Sequence, residues 1–191
     1  MDALILAGGE NRRFFFHKGL AEIHGKRLIE ITSSLLRKYF NKVWLSTNSP
    51  DIYFYLGLPM IGDIINFRGP LTGIFSSLLS TGAPELFVAA CDMPFISDDM
   101  INLIKNSYKG QDAVIPIFSG IPQPLLGIYS NKIKDLMEER ISFKGRAMRD
   151  LLCDDIDVYY IPEKEVLTVD PEGRSFVNIN TREDLKQATG G

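Results

Sequence analysis

Ala3-Leu4-Ile5-Leu6-Ala7-Gly8-Gly9-Glu10-Asn11-Arg12-Arg13-Phe14-Phe15-Phe16-His17-Lys18 begins with an apolar run, Ala3 to Leu6, that stops at paired glycines. An apolar run without polar alternation reads as a strand covered on both faces, as in a parallel sheet flanked by helices. Open sheets of that kind bind ligands beyond the carboxyl ends of their strands. Two glycines there let the backbone approach a ligand and turn its N–H groups toward phosphate oxygens. Arg12, Arg13 and Lys18 add three cations within seven residues. Phosphate is the simplest partner for that set, and an ordinary turn with solvated Arg and Lys is the competing reading. The spacing is neither GxGxxG nor GxxxxGK[ST], which disfavours dinucleotide binding of the Rossmann type and the P-loop.

Working outward, strand-like runs alternate with segments of helical period. Arg27–Phe40 reads as an amphipathic helix, Lys42–Ser46 as a strand, Thr72–Leu79 as a helix, Leu86–Ala90 as a strand and Asp98–Asn106 as a helix. Further on, Asp112–Ile117, Leu125–Tyr129, Asp157–Ile161 and Phe176–Ile179 read as strands, with helices at Lys132–Glu139 and Arg146–Leu152. A last helix opens at Thr181, whose hydroxyl caps it, with Glu183 and Asp184 in its first turn. The expected fold is therefore α/β in three layers, doubly wound on a mostly parallel sheet. Neither a repeat nor a linker rich in Gly, Ser or Pro interrupts residues 1–191, so one continuous domain is expected, with a second lobe built on the same sheet.

Composition narrows the function classes. The 191 residues carry 21 Lys and Arg against 24 Asp and Glu, a formal charge of −3, with 45% hydrophobic and 24% charged residues. These are averages for globular domains and exclude disorder and collagen-like repeats. An acidic balance argues against non-specific binding to nucleic acid or to an anionic membrane. Cys91 and Cys153 are the only cysteines and lie outside any CxxC spacing, which makes a disulfide framework or a cysteine zinc site unexpected. Met1-Asp2 is no basic leader, and no stretch has the length of a membrane span, so a cytoplasmic location is expected.

A second strand end carries chemistry. Phe87-Val88-Ala89-Ala90-Cys91-Asp92-Met93-Pro94 puts a carboxylate just past an apolar strand, at the edge where the glycine turn lies. A hard oxygen donor there can hold Mg2+ against phosphates, although a strand-terminal Asp before Met-Pro also suits a plain helix-leading turn. Gly69-Pro70-Leu71-Thr72-Gly73-Ile74 reads as a turn feeding a helix, with Thr72 or a neighbour as cap. Asp63 read alone is more often a turn former, and Asn180 reads with equal weight as an N-cap or turn residue. Trp44 is expected to pack, and His17 and His24 lack partners spaced for a metal.

LAGG followed by Arg13 and Lys18 resembles the nucleotidyltransferases that make nucleotide adducts of molybdopterin, in particular the molybdenum cofactor guanylyltransferases. Their pattern is roughly LAGG-x-S-x-R-M-G-x-D-K; here Asn11 stands for Ser, Phe15 for Gly and His17 for Asp. Gly69-Pro70-Leu71-Thr72-Gly73-Ile74 is similar to the family's G-P-L-x-G-I, Cys91-Asp92-Met93-Pro94 to its C-D-x-P, and Phe176-Val177-Asn178-Ile179-Asn180-Thr181 to its F-x-N-[IV]-N-T. The resemblance implies a Rossmann-like fold of the nucleotide-diphospho-sugar transferase type. It implies a nucleotide-binding half over about 1–108 and a molybdopterin-binding lobe over about 109–191. On it, Leu6, Ala7, Gly8, Gly9, Lys18, Asn48, Asp63 and Asp92 bind GTP, with Asp63 beside the guanine base. Asp92 holds Mg2+ and, with Lys18 and Arg13, carries catalysis.

Arg146, Asn178 and Asn180 are implied to meet molybdopterin, with or without molybdenum. Other cofactor-biosynthesis proteins or apo-molybdoenzymes are the implied partners. The implied reaction moves GMP from GTP to the pterin phosphate. Cytidylyl or sugar-phosphate transfer on the same fold, or a non-catalytic GTP- or pterin-binding regulator, are the alternatives.

Overall fold

A computed structural model describes residues 1–8, 18–143, 148–181 and 183–184, without the side chains of Lys18 and Phe143. The elements in chain order are β1 (Asp2–Leu6), β2 (Glu22–Ile23), β3 (Lys26–Arg27), α1 (Leu28–Leu36), β4 (Val43–Ser46), α2 (Pro50–Tyr53), β5 (Met60–Ile61), α3 (Pro70–Thr81), β6 (Glu85–Ala90) and α4 (Asp98–Ser107). They continue with β7 (Ala113–Phe118), β8 (Ile121–Pro122), β9 (Leu126–Ser130), α5 (Lys134–Phe143), α6 (Met148–Leu151), β10 (Val158–Ile161) and α7 (Glu163–Val169).

The main sheet runs in the order β10-β7-β9-β6-β1-β4-β5, with β8 paired to β7. Pairing is parallel for β1 with β4 and β6, for β4 with β5 and for β7 with β10. β9 is antiparallel to both β6 and β7. The sheet is thus mostly parallel, and the two halves of the chain share it. Strand alternation divides the core cleanly. Ala3 and Ile5 face Ile29 and Leu36 of α1, Met100 and Ile104 of α4 and Val166 of α7. Leu4 and Leu6 face Leu71, Ile74 and Leu78 of α3, Met137 and Ile141 of α5 and Leu151 of α6. Three layers result, as the apolar runs predict.

Local chemistry sets the helix bounds. At the start of α1 the Arg27 N–H donates to Glu30 Oε2 at 3.0 Å, and the helix ends at Leu36, four residues before the predicted Phe40, in tightened turns where Lys38 N–H reaches Leu35 C=O. Ser97 caps α4 by accepting from the Met100 N–H at 3.0 Å. α3 starts at Pro70 rather than Thr72, because proline suits the first helical position and Gly69 supplies the turn before it at φ +151°.

One expected strand is absent. Phe176–Ile179 pairs with no strand of the sheet; the chain makes a 3-10 turn at Arg174–Phe176 instead. The buried Asp170 carboxylate causes it by accepting from the N–H groups of Arg174 and Ser175 at 3.0 and 2.7 Å, which curls the backbone. The Phe176 ring then stacks on Phe118 with centroids 5.2 Å apart. Thr181 behaves as expected: its Oγ1 accepts from the Asp184 N–H at 3.0 Å, while Asp184 accepts from the Asn180 and Thr181 N–H groups. Trp44 packs on the core and donates to Asp2 at 3.0 Å.

Candidate active site at the carboxyl edge of the sheet

Register brings three turns together. Leu6 pairs with Ser46 and Ser46 with Ile61, so the chain leaves β1, β4 and β5 at one level. Ala7 N–H donates to Ser46 C=O and Thr47 N–H to Ile61 C=O, each at 2.9 Å, extending the pairing past the strand ends. The first turn of α3 closes the fourth side. It comes this near only because Gly73 has no side chain: a Cβ there would stand 2.6 Å from Ser46 Oγ and 3.2 Å from Leu6 Cδ2. The open cavity between them, about 560 Å³, is lined by the predicted Leu6, Ala7, Gly8, Asn48 and Asp63. Ser46, Thr47, Ser49, Arg68 and Pro70 also line it and escape sequence reasoning, except that Pro70 sits in a recognisable motif.

Asn48 and Asp63 grip each other. Asn48 Nδ2 donates to Asp63 Oδ2 at 2.6 Å, and Asp63 N–H donates to Asn48 Oδ1 at 2.8 Å. The pair fixes the aspartate rotamer and leaves Oδ1 with no hydrogen bond from a described residue. Partial burial pushes the Asp63 carboxyl up; the Asn48 amide and the nearby Arg68 charge pull the other way. The loop between them is held, since Ile64 N–H donates to Ser76 Oγ on α3 at 3.1 Å.

Asp92 lies one strand over. Leu6 pairs with Ala90, and Cys91 N–H donates to Leu6 C=O at 3.0 Å, which sets Asp92 beside the turn that follows β1. The Asp92 backbone carbonyl accepts from Ile179 N–H at 2.9 Å, so Asn178 and Asn180 flank a residue bonded to the Asp92 loop. The Asn178 Oδ1 is buried without a hydrogen-bond partner. Among the described residues, no three His, Cys, Asp or Glu side chains gather as a metal centre. A single carboxylate at this edge nevertheless fits Mg2+, which binds through one or two carboxylates and takes its other ligands from phosphates and water.

Gly9, Arg13 and Arg146 lie outside the described residues, as do Asn11, Phe14–Phe16 and His17; Lys18 is described only as the start of a 3-10 turn. A second cavity, about 440 Å³, lies where the β7–β8 turn, α6 and β10 meet and includes Pro124, Arg149 and Tyr160. No described helix is long and apolar enough to cross a membrane.

Comparison with known proteins gives a consistent result. Residues 3–155 match the family described as the MobA-like NTP transferase domain. The chain is 35% identical to a probable molybdenum cofactor guanylyltransferase of Peptoclostridium acidaminophilum, over 97% of this chain and 86% of that protein. It is 32% identical to the molybdenum cofactor guanylyltransferase of Desulfosudis oleivorans, over 98% of this chain and 95% of that one. Among solved structures, it is similar to molybdopterin-guanine dinucleotide biosynthesis protein A of Archaeoglobus fulgidus, with a TM-score of 0.85, 28% identity and coverage of 100% and 97% of the two chains.

Proposed function

Because the chain belongs to the MobA-like NTP transferase family, we propose that it transfers GMP from GTP to the terminal phosphate of molybdopterin, with or without bound molybdenum, and releases pyrophosphate. The observation that carries the reading is the cavity at the ends of β1 and β4, where a pinned acidic acceptor faces the space beside the glycine turn. An acidic acceptor suits guanine because N1–H and the exocyclic amine are adjacent donors. Relatives named as guanylyltransferases over nearly their full length support the same substrate pair.

The reaction asks little proton chemistry of the protein. A phosphate oxygen of the acceptor, already ionised at neutral pH, attacks the α-phosphorus in line. The bond from that phosphorus to the bridging oxygen of the β-phosphate breaks, and the electron pair leaves with pyrophosphate. Catalysis then rests on positioning and on charge stabilisation. The base sits against Asp63, held by Asn48, and the backbone from Leu6 to Gly9 follows the nucleotide. Arg13 and Lys18 take charge on the β- and γ-phosphates. Asp92 would hold Mg2+, which would supply neutralisation of charge on the phosphates. Asn178, Asn180 and Arg146 bind the acceptor in the 109–191 lobe. We place this work in the cytoplasm.

The test supplies α-labelled GTP or CTP with Mg2+ and molybdopterin. Label from GTP is expected in a pterin dinucleotide, and γ-label in pyrophosphate. Label entering the product from CTP in preference to GTP contradicts the guanylyl reading.

A further inference from the structure

Asp63 and Arg68 stand at the two ends of the short loop between β5 and α3, and both line the cavity at the ends of β1 and β4. The loop is braced internally, with Phe67 N–H donating to Ile65 C=O at 2.7 Å, and externally through the bond from Ile64 N–H to Ser76. One braced backbone segment therefore carries an acceptor, pinned by Asn48, and a donor to the same cavity. Asn48 takes one lone pair of Asp63 Oδ2, which keeps a second, and no described residue donates a hydrogen bond to Oδ1, so both oxygens can still accept. Resting on the guanylyl reading, we propose that Arg68 is a specificity-determining residue whose guanidinium donates to the O6 and N7 edge of guanine while Asp63 accepts from N1–H and N2–H.

Edge chemistry supports the assignment. An arginine fork matches O6 and N7 of guanine, and that match depends on the two acceptors, whatever carries the base. Beside it the carboxylate needs two adjacent donors. Guanine alone among the common bases offers two donors followed by acceptors around one side of the ring. Adenine and cytosine each turn one donor and a neighbouring acceptor toward a carboxylate, and uracil has no N7. An analogue that lacks one of these partners loses that hydrogen bond. Arg68 is itself exposed, so its replacement is expected to leave the fold intact.

The experiment measures binding of GTP, ITP, 7-deaza-GTP and CTP, without acceptor, to the wild-type protein, Arg68→Ala and Arg68→Lys. ITP lacks the N2 amine that Asp63 reads, and 7-deaza-GTP lacks N7. Wild type is expected to prefer GTP over all three. Arg68→Ala should bind GTP about ten- to a hundredfold more weakly, lose the penalty against 7-deaza-GTP and keep the penalty against ITP. Arg68→Lys, with a point charge in place of a fork, should fall between. An Arg68→Ala protein that still discriminates against 7-deaza-GTP, or that weakens on CTP as much as on GTP, overturns the role of Arg68 and leaves the guanylyl reading standing. A wild-type preference for CTP overturns the guanylyl reading and this inference with it.

Discussion

Burial raises the Asp63 carboxyl above its ordinary range, and the Asn48 amide and Arg68 charge lower it. Burial leads, so the net direction is upward. A carboxyl raised on folding stabilises the protein in its neutral form; that contribution is complete below the unfolded value, about 3.9, and is lost as pH rises through the folded value. Base reading has the opposite demand, since it needs the ionised form. Asn48→Ala removes one of the influences holding the group down. Its Asp63 should titrate at a higher pH than in the wild type, read as the carboxyl carbon shift by NMR, and an unchanged midpoint would show that the amide does not act on the carboxylate. Asn48 and Asp63 were legible in the sequence only through the family pattern, because a lone Asn or Asp after a strand is ordinary turn chemistry. Arg68 was not legible, since a single cation in a loop has no spacing to mark its partner.

Elements built from unbroken apolar runs, β1, β4 and β6, follow directly from the sequence, because burial on both faces leaves no polar alternation. Helices α3 and α4 follow from periodicity, whereas the start of α3 at Pro70 and the Ser97 cap of α4 are set by local chemistry that periodicity does not mark. Phe176–Ile179 misleads for the reason its neighbour Asp170 explains: apolar residues buried by a capped turn look like those buried by a strand. The two-residue β2, β3 and β5 are too short to carry a period at all. The close approach of α3 to β1 and β4 also gives a prediction. Gly73→Ala should displace the Ser46 hydroxyl and the Leu6 methyl or push α3 outward, costing about 1–3 kcal/mol by overpacking. For a chain of this length each kcal/mol lowers Tm by about 2–4 °C, and GTP affinity should fall with it, because the helix forms one wall of the cavity. Unchanged melting would mean that the contact is loose.

Across the whole molecule, parallel winding is legible from alternating strands and helices, and one sheet does join both halves of the chain. The reversed direction of β9 is not legible, because periodicity reports which face a strand buries and says nothing of which way it runs. That reversal matters to the site. Because β9 is reversed, its first residues rather than its last lie at the carboxyl edge, where Ala90 N–H bonds to Leu125 C=O beside the turn that carries Asp92. The account stands on that edge bringing nucleotide, acidic group and acceptor together. Its most direct test is pyrophosphate release with GTP, molybdopterin and Mg2+, comparing wild type with Asp92→Ala and Asp92→Asn. The account predicts release that requires both substrates and falls about 10²–10³-fold in both variants, the scale of one lost charge-stabilising contact. Full turnover by Asp92→Ala, or none by the wild type with both substrates present, would contradict it.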